Sequence, residues 1–302
     1  MPNLTSVLYH NIMEDESPFE KGLGVTTKPD IFEQHLNFYQ KNYDIVDLET
    51  ILSGKMPRRP LLITFDDCYR SVLRAARDQM APRGIPSLFF VNPSLVGGGI
   101  SLDNVIAWVC SRHGADALCR LLDVSPEQHP DAGTIIAKIL SRATAAERGA
   151  MRERIQGAFP PSSELELRSP MLEAGDFAEL RKLKVEIGNH THSHVHCGAL
   201  APHELQTEIV TARDELVALS GGAVRAFSVA YGHERDLPPT VLEVLRESGH
   251  KAIFLVHARS NLVRKAPDVW YRVSFRNESV ARLPMRLSVL PLIRSARDLV
   301  LS

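Results

Sequence analysis

Short apolar runs alternate with amphipathic segments along most of the chain. The apolar runs are rich in β-branched and aromatic residues, and several of them, such as LLITF and SLFFV, are apolar on both faces. This pattern is typical of strands in a parallel sheet that is covered by helices. It predicts about eight strands, at residues 6–9, 44–47, 61–65, 87–91, 185–188, 226–230, 252–256 and 270–274.

The clearest amphipathic segment spans residues 202–220. A proline lies in its first turn, Leu205, Ile209, Leu216 and Leu219 lie on one stripe, and Gly221 ends it. Strands that alternate with such helices predict an α/β fold, and this number of strands favours a barrel related to the (β/α)8 family.

Residues 101–167 interrupt the alternation because they contain only helical patterns, such as DNVIAWVCSRHGADALCRLL. We therefore expect a single domain over residues 1–302, with a helical insertion at about 101–167. Loops that follow the strands of such barrels carry specificity, so the insertion could form a wall over the site. The alternative is that it packs outside the barrel or makes a dimer contact.

Composition excludes some classes of partner. The chain has 302 residues, with 35 Lys and Arg against 36 Asp and Glu, so a net charge of −1 gives no reason to expect nucleic acid or an anionic membrane as the main partner. Four scattered cysteines without a CxxC pair indicate reduced thiols. Because no signal peptide and no membrane-spanning run is evident, we expect a cytoplasmic protein. The sequence leaves open whether the protein forms a homo-oligomer.

Two stretches carry candidate chemistry. The first, LITFDDCYRS, places Asp66 and Asp67 directly after a buried strand, at the end of a barrel strand where sites form. Adjacent carboxylates disfavour joint ionisation, and a bound cation would relieve this. The alternative is that the pair caps the helix that follows.

The second stretch, VEIGNHTHSHVHCG, has four histidines at alternate positions after another short strand. Imidazole and carboxylate ligands together suit zinc or a similar divalent ion, and two histidines with one aspartate leave a position open for water. Zinc is the expected ion, with cobalt, nickel and manganese as alternatives.

With these motifs, the sequence resembles the polysaccharide deacetylase family, also called the NodB-homology or carbohydrate esterase 4 group. The resemblance rests on YH near the start, TFDD, EIGNHTHSH and AYG, in the expected order and over most of the chain outside the insertion. It implies a distorted (β/α)7–8 barrel of the NodB-homology type. It also implies a metal-dependent hydrolase that removes an N-acetyl group from an amino sugar or a sugar-containing molecule.

The resemblance assigns a role to each matching residue. Asp66 matches the catalytic base, Asp67 the first metal ligand, and His190 and His194 the two histidine ligands. Tyr231, in AYG, matches the tyrosine whose backbone N–H stabilises the oxyanion. His192 and His196 fall at positions that the family does not reserve for metal, so they are expected to line the pocket or lie at the surface.

Two further roles are less directly matched. The family's general acid lies in an LxH pattern, which His257 matches, while His233 is the rival, with an exposed loop position as its simpler interpretation. The arginine that often orients the base has no match at Ser228. Arg272, in WYRVSF, resembles an arginine of one branch of the family and could orient the base instead, unless it only forms a surface ion pair.

The sequence also departs from the family pattern. Cys68 replaces the usual glycine after the aspartate pair and could narrow the site or alter the turn, and Ala230 replaces a proline. Three other functions stay open: hydrolysis of a non-sugar amide, an amidohydrolase-like scheme that uses the HxH pair of His190 and His192, and a catalytically silent glycan-binding protein that keeps the metal. The retained Asp66 argues against the last.

Overall fold

Seven parallel strands close into a barrel at the centre of the molecule. The structure, a computed structural model, describes residues 3–124, 131–160, 170–262 and 267–301. The main sheet has eight strands: β1 (Thr5–Tyr9), β4 (Asp44–Ile45), β5 (Pro60–Phe65), β6 (Ser87–Val91), β7 (Val185–Asn189), β8 (Ala226–Ser228), β9 (Ala252–Val256) and β10 (Val269–Ser274). They run in the order β1-β10-β9-β8-β7-β6-β5-β4, and pairing of β1 with β5 closes seven of them into the barrel, which leaves β4 outside it.

The eight predicted strands and the predicted barrel class are therefore confirmed. Strands β5 and β6 are buried at every position, as expected for a sheet with both faces covered. The sequence pattern missed a separate two-stranded sheet, formed by β2 (Asn11–Ile12) and β3 (Thr26–Thr27), because a pair of residues is too short to show a period.

The helices lie mostly between consecutive strands. Those outside the insertion are α1 (Pro29–Asn42), α2 (Leu48–Ser53), α3 (Ser71–Ala75), α8 (Asp176–Lys182), α9 (Pro202–Leu205), α10 (Ala212–Ser220), α11 (Pro239–Glu247) and α12 (Leu290–Leu301). Within the described ranges, no helix combines the length and the apolar character that crossing a bilayer requires.

The amphipathic segment at 202–220 is helical as predicted, but a π-helical turn at Gln206–Thr211 separates α9 from α10. Leu205, Ile209 and Leu216 are buried, Leu219 is half-buried, and Gly221 ends the segment with a φ of 65°.

Among the described residues of the predicted insertion, four α-helices follow β6: α4 (Leu102–His113), α5 (Ala115–Leu121), α6 (Ala132–Leu140) and α7 (Ala145–Ala158). They share an apolar cluster that includes Val105, Ile106 and Ile155, and Tyr231 from the barrel packs against it. Residues 161–167 of the predicted insertion lie outside the described residues. That the whole chain is one domain stays a prediction.

Alternate strand residues face the barrel interior and prepare the site. Leu62, Leu88, Ala226 and Phe254 belong to one buried cluster inside the barrel. Because side chains alternate along a strand, the positions two residues further on, including Thr64 and Ser228, face the same interior. The interior is therefore apolar at one level and polar at the next, toward the carboxyl ends of the strands.

Candidate active site

Three potential metal ligands converge at the carboxyl ends of β5 and β7. Asp67 follows β5, and His190 and His194 follow β7, so the parallel strands bring them to the same rim. One ligand atom from each of the three lies within 4.8 Å of the others. Asp67 Oδ1 is 3.2 Å from His190 Nε2 and 3.3 Å from His194 Nε2.

Hydrogen bonds on the far side of each ring determine which nitrogen faces Asp67 as an acceptor. His190 Nδ1 donates to the Ser228 carbonyl at 2.8 Å, and His194 Nδ1 donates to Asp103 Oδ2 at 2.7 Å. In a neutral imidazole, the opposite nitrogen then carries a lone pair. Two ring lone pairs and a carboxylate oxygen thus point at one another.

The donor set fits a divalent cation. Asp67 Oδ1 is buried and accepts no hydrogen bond from the described residues, which would be costly unless a cation neutralised it. Burial would raise the pKa of Asp67, but the neighbouring His194 and His10 rings hold it well below its usual range, so this side chain is a carboxylate. Two imidazoles and one carboxylate suit zinc and similar first-row ions.

Asp66 lies beside this cluster and is held by Arg272. The Arg272 guanidinium donates two parallel hydrogen bonds to the Asp66 carboxylate, each 2.8 Å, and Ser228 Oγ donates a third at 2.9 Å. Burial would raise the pKa of Asp66, but the charge of Arg272 holds it below its ordinary value. Asp66 Oδ2 is 3.8 Å from His190 Nε2, so an ionised carboxylate adjoins the candidate metal site.

Arg272 is fully buried inside the barrel, with the rings of Phe90 and Phe254 at 5.2 Å and 5.7 Å from its guanidinium carbon. The alternative of a surface ion pair is therefore wrong. Ser228 stands where the family often has an arginine, and its Oγ lies 2.6 Å from the Arg272 guanidinium. Arg272, on β10, therefore supplies the positive charge that Ser228 lacks.

The aspartate pair does not cap the next helix. Helix α3 begins at Ser71, and its N-cap residue, Arg70, makes no capping hydrogen bond through its side chain. The two carboxylates are engaged at the rim instead, which contradicts the capping alternative.

One family model, that of polysaccharide deacetylase, matches residues 173–253. Within this segment the chain is similar to the polysaccharide deacetylases. The matched segment contains His190, His194 and Tyr231, whereas Asp66 and Asp67 lie outside it. No curated protein sequence matches the chain.

Solved deacetylase structures share the fold. The Streptococcus pyogenes deacetylase PplD, solved in complex with acetate, is 14% identical, and the match covers 95% of this chain and 100% of that one with a TM-score of 0.62. IcaB from Ammonifex degensii is 19% identical, with 96% and 98% covered and a TM-score of 0.59. BC0361, a polysaccharide deacetylase from Bacillus cereus, is 12% identical, with 95% and 69% covered and a TM-score of 0.61.

Tyr231, to which the resemblance assigns the stabilisation of the oxyanion, lies in a left-handed turn with a φ of 61°. Its hydroxyl donates to both oxygens of Asp103 at 3.0 Å, and its ring stacks on His196 with the ring centroids 3.8 Å apart. These contacts fix the side chain of the turn. The role of its backbone N–H stays a prediction.

Left-handed backbone conformations concentrate at this site. Asp67, Cys68, Thr191, His194 and Tyr231 all have φ values between 58° and 74°. Such conformations cost about 1–2 kcal/mol for an L-residue, and strain of this kind collects at functional sites.

Cys68 does not narrow the site, because its side chain is buried in the main apolar cluster. The turn keeps the left-handed conformation that a glycine would adopt easily, with a φ of 65°. Burial raises the pKa of the Cys68 thiol to about 12, so it is not a reactive thiolate.

The two candidates for the general acid, His257 and His233, are both exposed and lie near the same rim. His257 directly follows β9, and its backbone N–H donates to the Arg272 carbonyl at 3.1 Å. His233 follows the Tyr231 turn, and its ring is parallel to that of His196 with the centroids 6.3 Å apart. His233 thus has the exposed loop position expected for it, and the assignment of His257 stays a prediction.

The remaining histidines of the HTHSHVH stretch lie outside the candidate metal site. His192 Nε2 lies 3.4 Å from a Glu215 oxygen on α10, so the HxH scheme of His190 and His192 has no geometric support. His196 is buried, and its Nδ1 donates to Asp236 at 2.9 Å.

Sequence reasoning missed three residues that contact the site: Asp103, Arg148 and His10. His10 Nε2 is 3.9 Å from Asp67 Oδ2, and the YH motif at positions 9–10 was the available signal. Asp103 and Arg148 lie on α4 and α7, where a lone charge in a helical pattern looks like any other surface residue.

Proposed function

We propose that the protein is a metal-dependent hydrolase that removes an N-acetyl group from an amino sugar or a sugar-containing molecule. The observation that carries the proposal is the convergence of three ligand atoms, from Asp67, His190 and His194, beside the buried carboxylate of Asp66. A binding protein would have no need for an ionised base next to its ligand set.

Each residue of the site has a definite task in this reaction. Asp67, His190 and His194 would hold the ion, with zinc expected and cobalt, nickel or manganese as alternatives. A bound divalent ion supplies Lewis acidity, which polarises the acetyl carbonyl and makes water easier to deprotonate.

The chain's own groups move the protons. Asp66, oriented by Arg272 and Ser228, accepts a proton from the attacking water. The backbone N–H of Tyr231 donates to the oxygen on which negative charge develops. His257 then gives a proton to the departing amine, with His233 as the rival for this role.

Acetate release tests the proposal. The full chain is stripped with a chelator, and zinc, cobalt, nickel or manganese is added back in the presence of N-acetyl sugars, nucleotide-linked sugars or short N-acetylglucosamine oligomers. We expect release that depends on metal. Asp66→Asn should keep the metal but lower kcat by about 10²- to 10⁴-fold, because it removes the base. Asp30→Asn, an exposed change on α1, is the matched control.

The outcomes separate the alternatives. If no sugar releases acetate while metal remains bound, sugar N-deacetylation is contradicted, and a non-sugar amide or glycan binding becomes the better explanation. If Asp66→Asn retains near-normal turnover, Asp66 is not the base.

A further inference from the structure

Two insertion helices, α4 and α7, contact residues of the candidate active site. Asp103, in the first turn of α4, accepts hydrogen bonds from His194 Nδ1 at 2.7 Å and from the Tyr231 hydroxyl at 3.0 Å. Arg148, on α7, donates to the Tyr231 hydroxyl at 3.3 Å and to the His194 carbonyl at 2.9 Å. Asp103 and Arg148 are each only 6% exposed.

The stability of α4 does not explain a buried carboxylate at position 103. Ser101 already caps the helix, because its side chain accepts a hydrogen bond from the Asn104 backbone N–H. A carboxylate in the first turn gains about 0.3–1 kcal/mol from the helix dipole. Burying an unpaired ionised carboxylate costs several kcal/mol, so Asp103 needs specific partners.

The strongest of these partners is His194, not Arg148. The closest Arg148 nitrogen is 4.0 Å from Asp103 Oδ2, at the limit of an ion pair, whereas His194 Nδ1 is 2.7 Å away. Arg148 lies on the insertion, as Asp103 does, so a role confined to holding the insertion helices together would favour the opposite order of distances.

The two histidine ligands differ in what orients them. His190 donates to a neutral carbonyl of the barrel, at Ser228, and His194 donates to a charged carboxylate of the insertion. Partners of this kind fix the tautomer and the ring orientation of a metal-binding histidine, and an anionic partner also makes the ring a stronger ligand.

We propose that Asp103 is a positioning residue that orients His194 for metal binding and ties the Tyr231 turn to it, so that the insertion completes the active site. This inference rests on the proposed function, since it concerns the same metal site. On this inference the insertion contacts the site on the side of the His194 ring that faces away from Asp67. Metal affinity then depends on Asp103, a residue outside the segment that matches the family model.

Metal affinity of the full chain tests the inference directly. Zinc and cobalt dissociation constants are measured by competition with a chromophoric chelator, without any substrate. Asp103→Asn can still accept from His194 Nδ1 but lacks the charge, so we expect binding about 10- to 100-fold weaker. Asp116→Asn, an exposed change on the neighbouring α5, should bind as the wild type does. Asp103→Glu, which keeps the charge, should bind more tightly than Asp103→Asn and also serves if the asparagine variant folds poorly.

Two more variants separate positioning from packing. Tyr231→Phe removes the hydroxyl and keeps the backbone N–H, so it should lower kcat and leave metal affinity near the wild-type value. Arg148→Gln should likewise leave metal affinity near the wild-type value, because the contact between Asp103 and His194 persists. Equal losses of affinity in Arg148→Gln and Asp103→Asn would overturn the proposal in favour of a packing role.

Wild-type zinc affinity in Asp103→Asn would also overturn the inference. His194→Ala keeps that failure distinct from failure of the proposed function. If His194→Ala loses the metal while Asp103→Asn does not, only the positioning role is wrong. If His194→Ala itself binds zinc normally, the ligand assignment under the proposed function is wrong.

Discussion

At the scale of single residues, Arg272 shows how a side chain inside the barrel controls the ionisation and the orientation of the candidate base, Asp66. Its guanidinium makes two parallel hydrogen bonds to Asp66 and reaches Thr64 Oγ1 at 3.1 Å, between two phenylalanine rings. A planar fork suits this geometry, and an ammonium group cannot reproduce it. Arg272 therefore fixes both the ionisation and the orientation of Asp66.

Arg272→Lys should lower kcat by about 10²-fold, because a displaced base loses its alignment with the attacking water. Metal affinity should stay at the wild-type value, since Arg272 contacts Asp66 and not the ligand set. Stability should fall by less than the ~3–5 kcal/mol typical of removing one partner of a buried pair, because lysine keeps the charge. Acetate release, metal titration and urea unfolding measure the three effects.

The matched control is Arg246→Lys. Arg246 also makes two hydrogen bonds to one carboxylate, that of Asp268, at 2.7 Å and 2.9 Å, but its side chain is 49% exposed. Arg246→Lys should lower the free energy of unfolding by less than ~1 kcal/mol and leave turnover unchanged. Equal turnover in Arg272→Lys and in the wild type would show that the base needs no such orientation.

Sequence reasoning found the residues of this site unevenly. Asp66, Asp67, His190 and His194 follow strands in motifs, so their meeting at one rim followed from the topology of parallel strands. Arg272 was recognised only by resemblance, and its burial was not predictable because an arginine inside a strand pattern normally faces solvent. Asp103 carried no signal.

At the scale of elements, the turn after β8 depends on Gly232. Its φ is +73°, and a Cβ atom there would lie 2.3 Å from Val256 Cβ and 2.6 Å from the Val256 backbone nitrogen. The turn that presents Tyr231 thus packs backbone to backbone against β9.

Gly232→Ala should lower the free energy of unfolding by about 2–5 kcal/mol, which combines the left-handed strain with overpacking against β9. Acetate release should fall as well, because Tyr231 must shift with the turn. Urea unfolding and the activity assay check both.

Gly54→Ala separates strain from overpacking. Gly54 ends α2 with a similar φ of +70°, and a Cβ atom there would meet nothing within 4 Å. We expect that variant to lose only about 1–2 kcal/mol and to keep full turnover. Equal losses at the two glycines would contradict the packing argument.

The elements were predictable wherever a pattern was long enough. Runs of four or five residues located the strands, but the four residues of β2 and β3 gave no period. The helix over 202–220 was predicted from its apolar stripe, yet the π-helical turn at Gln206–Thr211 was not, because widening one turn leaves the apolar stripe largely intact.

At the scale of the whole molecule, closure of the barrel was not predictable from periodicity. It depends on β1 pairing with β5, for example Val7 with Ile63, across a long stretch of chain. Local pattern reveals which segments are strands but not which strands pair, so the barrel was expected from strand count and from the family resemblance. The contact of α4 and α7 with the site is likewise a tertiary property.

The stability of the whole fold should depend on pH through His250. This ring is 2% exposed, lies 2.9 Å from Ser248 Oγ, and packs against Phe227. Burial, which disfavours the charged form, lowers the pKa of His250 to about 4. In the unfolded chain the pKa is about 6.5, so between these values only the unfolded chain takes up the proton. Stability is therefore fully present above pH ~6.5 and is lost as the pH falls toward 4.

A pKa shift of this size lowers the free energy of unfolding by an amount on the order of 3 kcal/mol between pH 6.5 and 4. His250→Gln removes the titration, so its unfolding free energy, measured in urea on chelated protein, should fall less steeply than that of the wild type over this interval. His203→Gln, an exposed change on α9, should keep the wild-type slope. Because the wild type and His250→Gln share every other titrating group, the difference between their slopes belongs to residue 250. Parallel slopes for the wild type and His250→Gln would mean that the buried ring accepts a proton within the folded barrel.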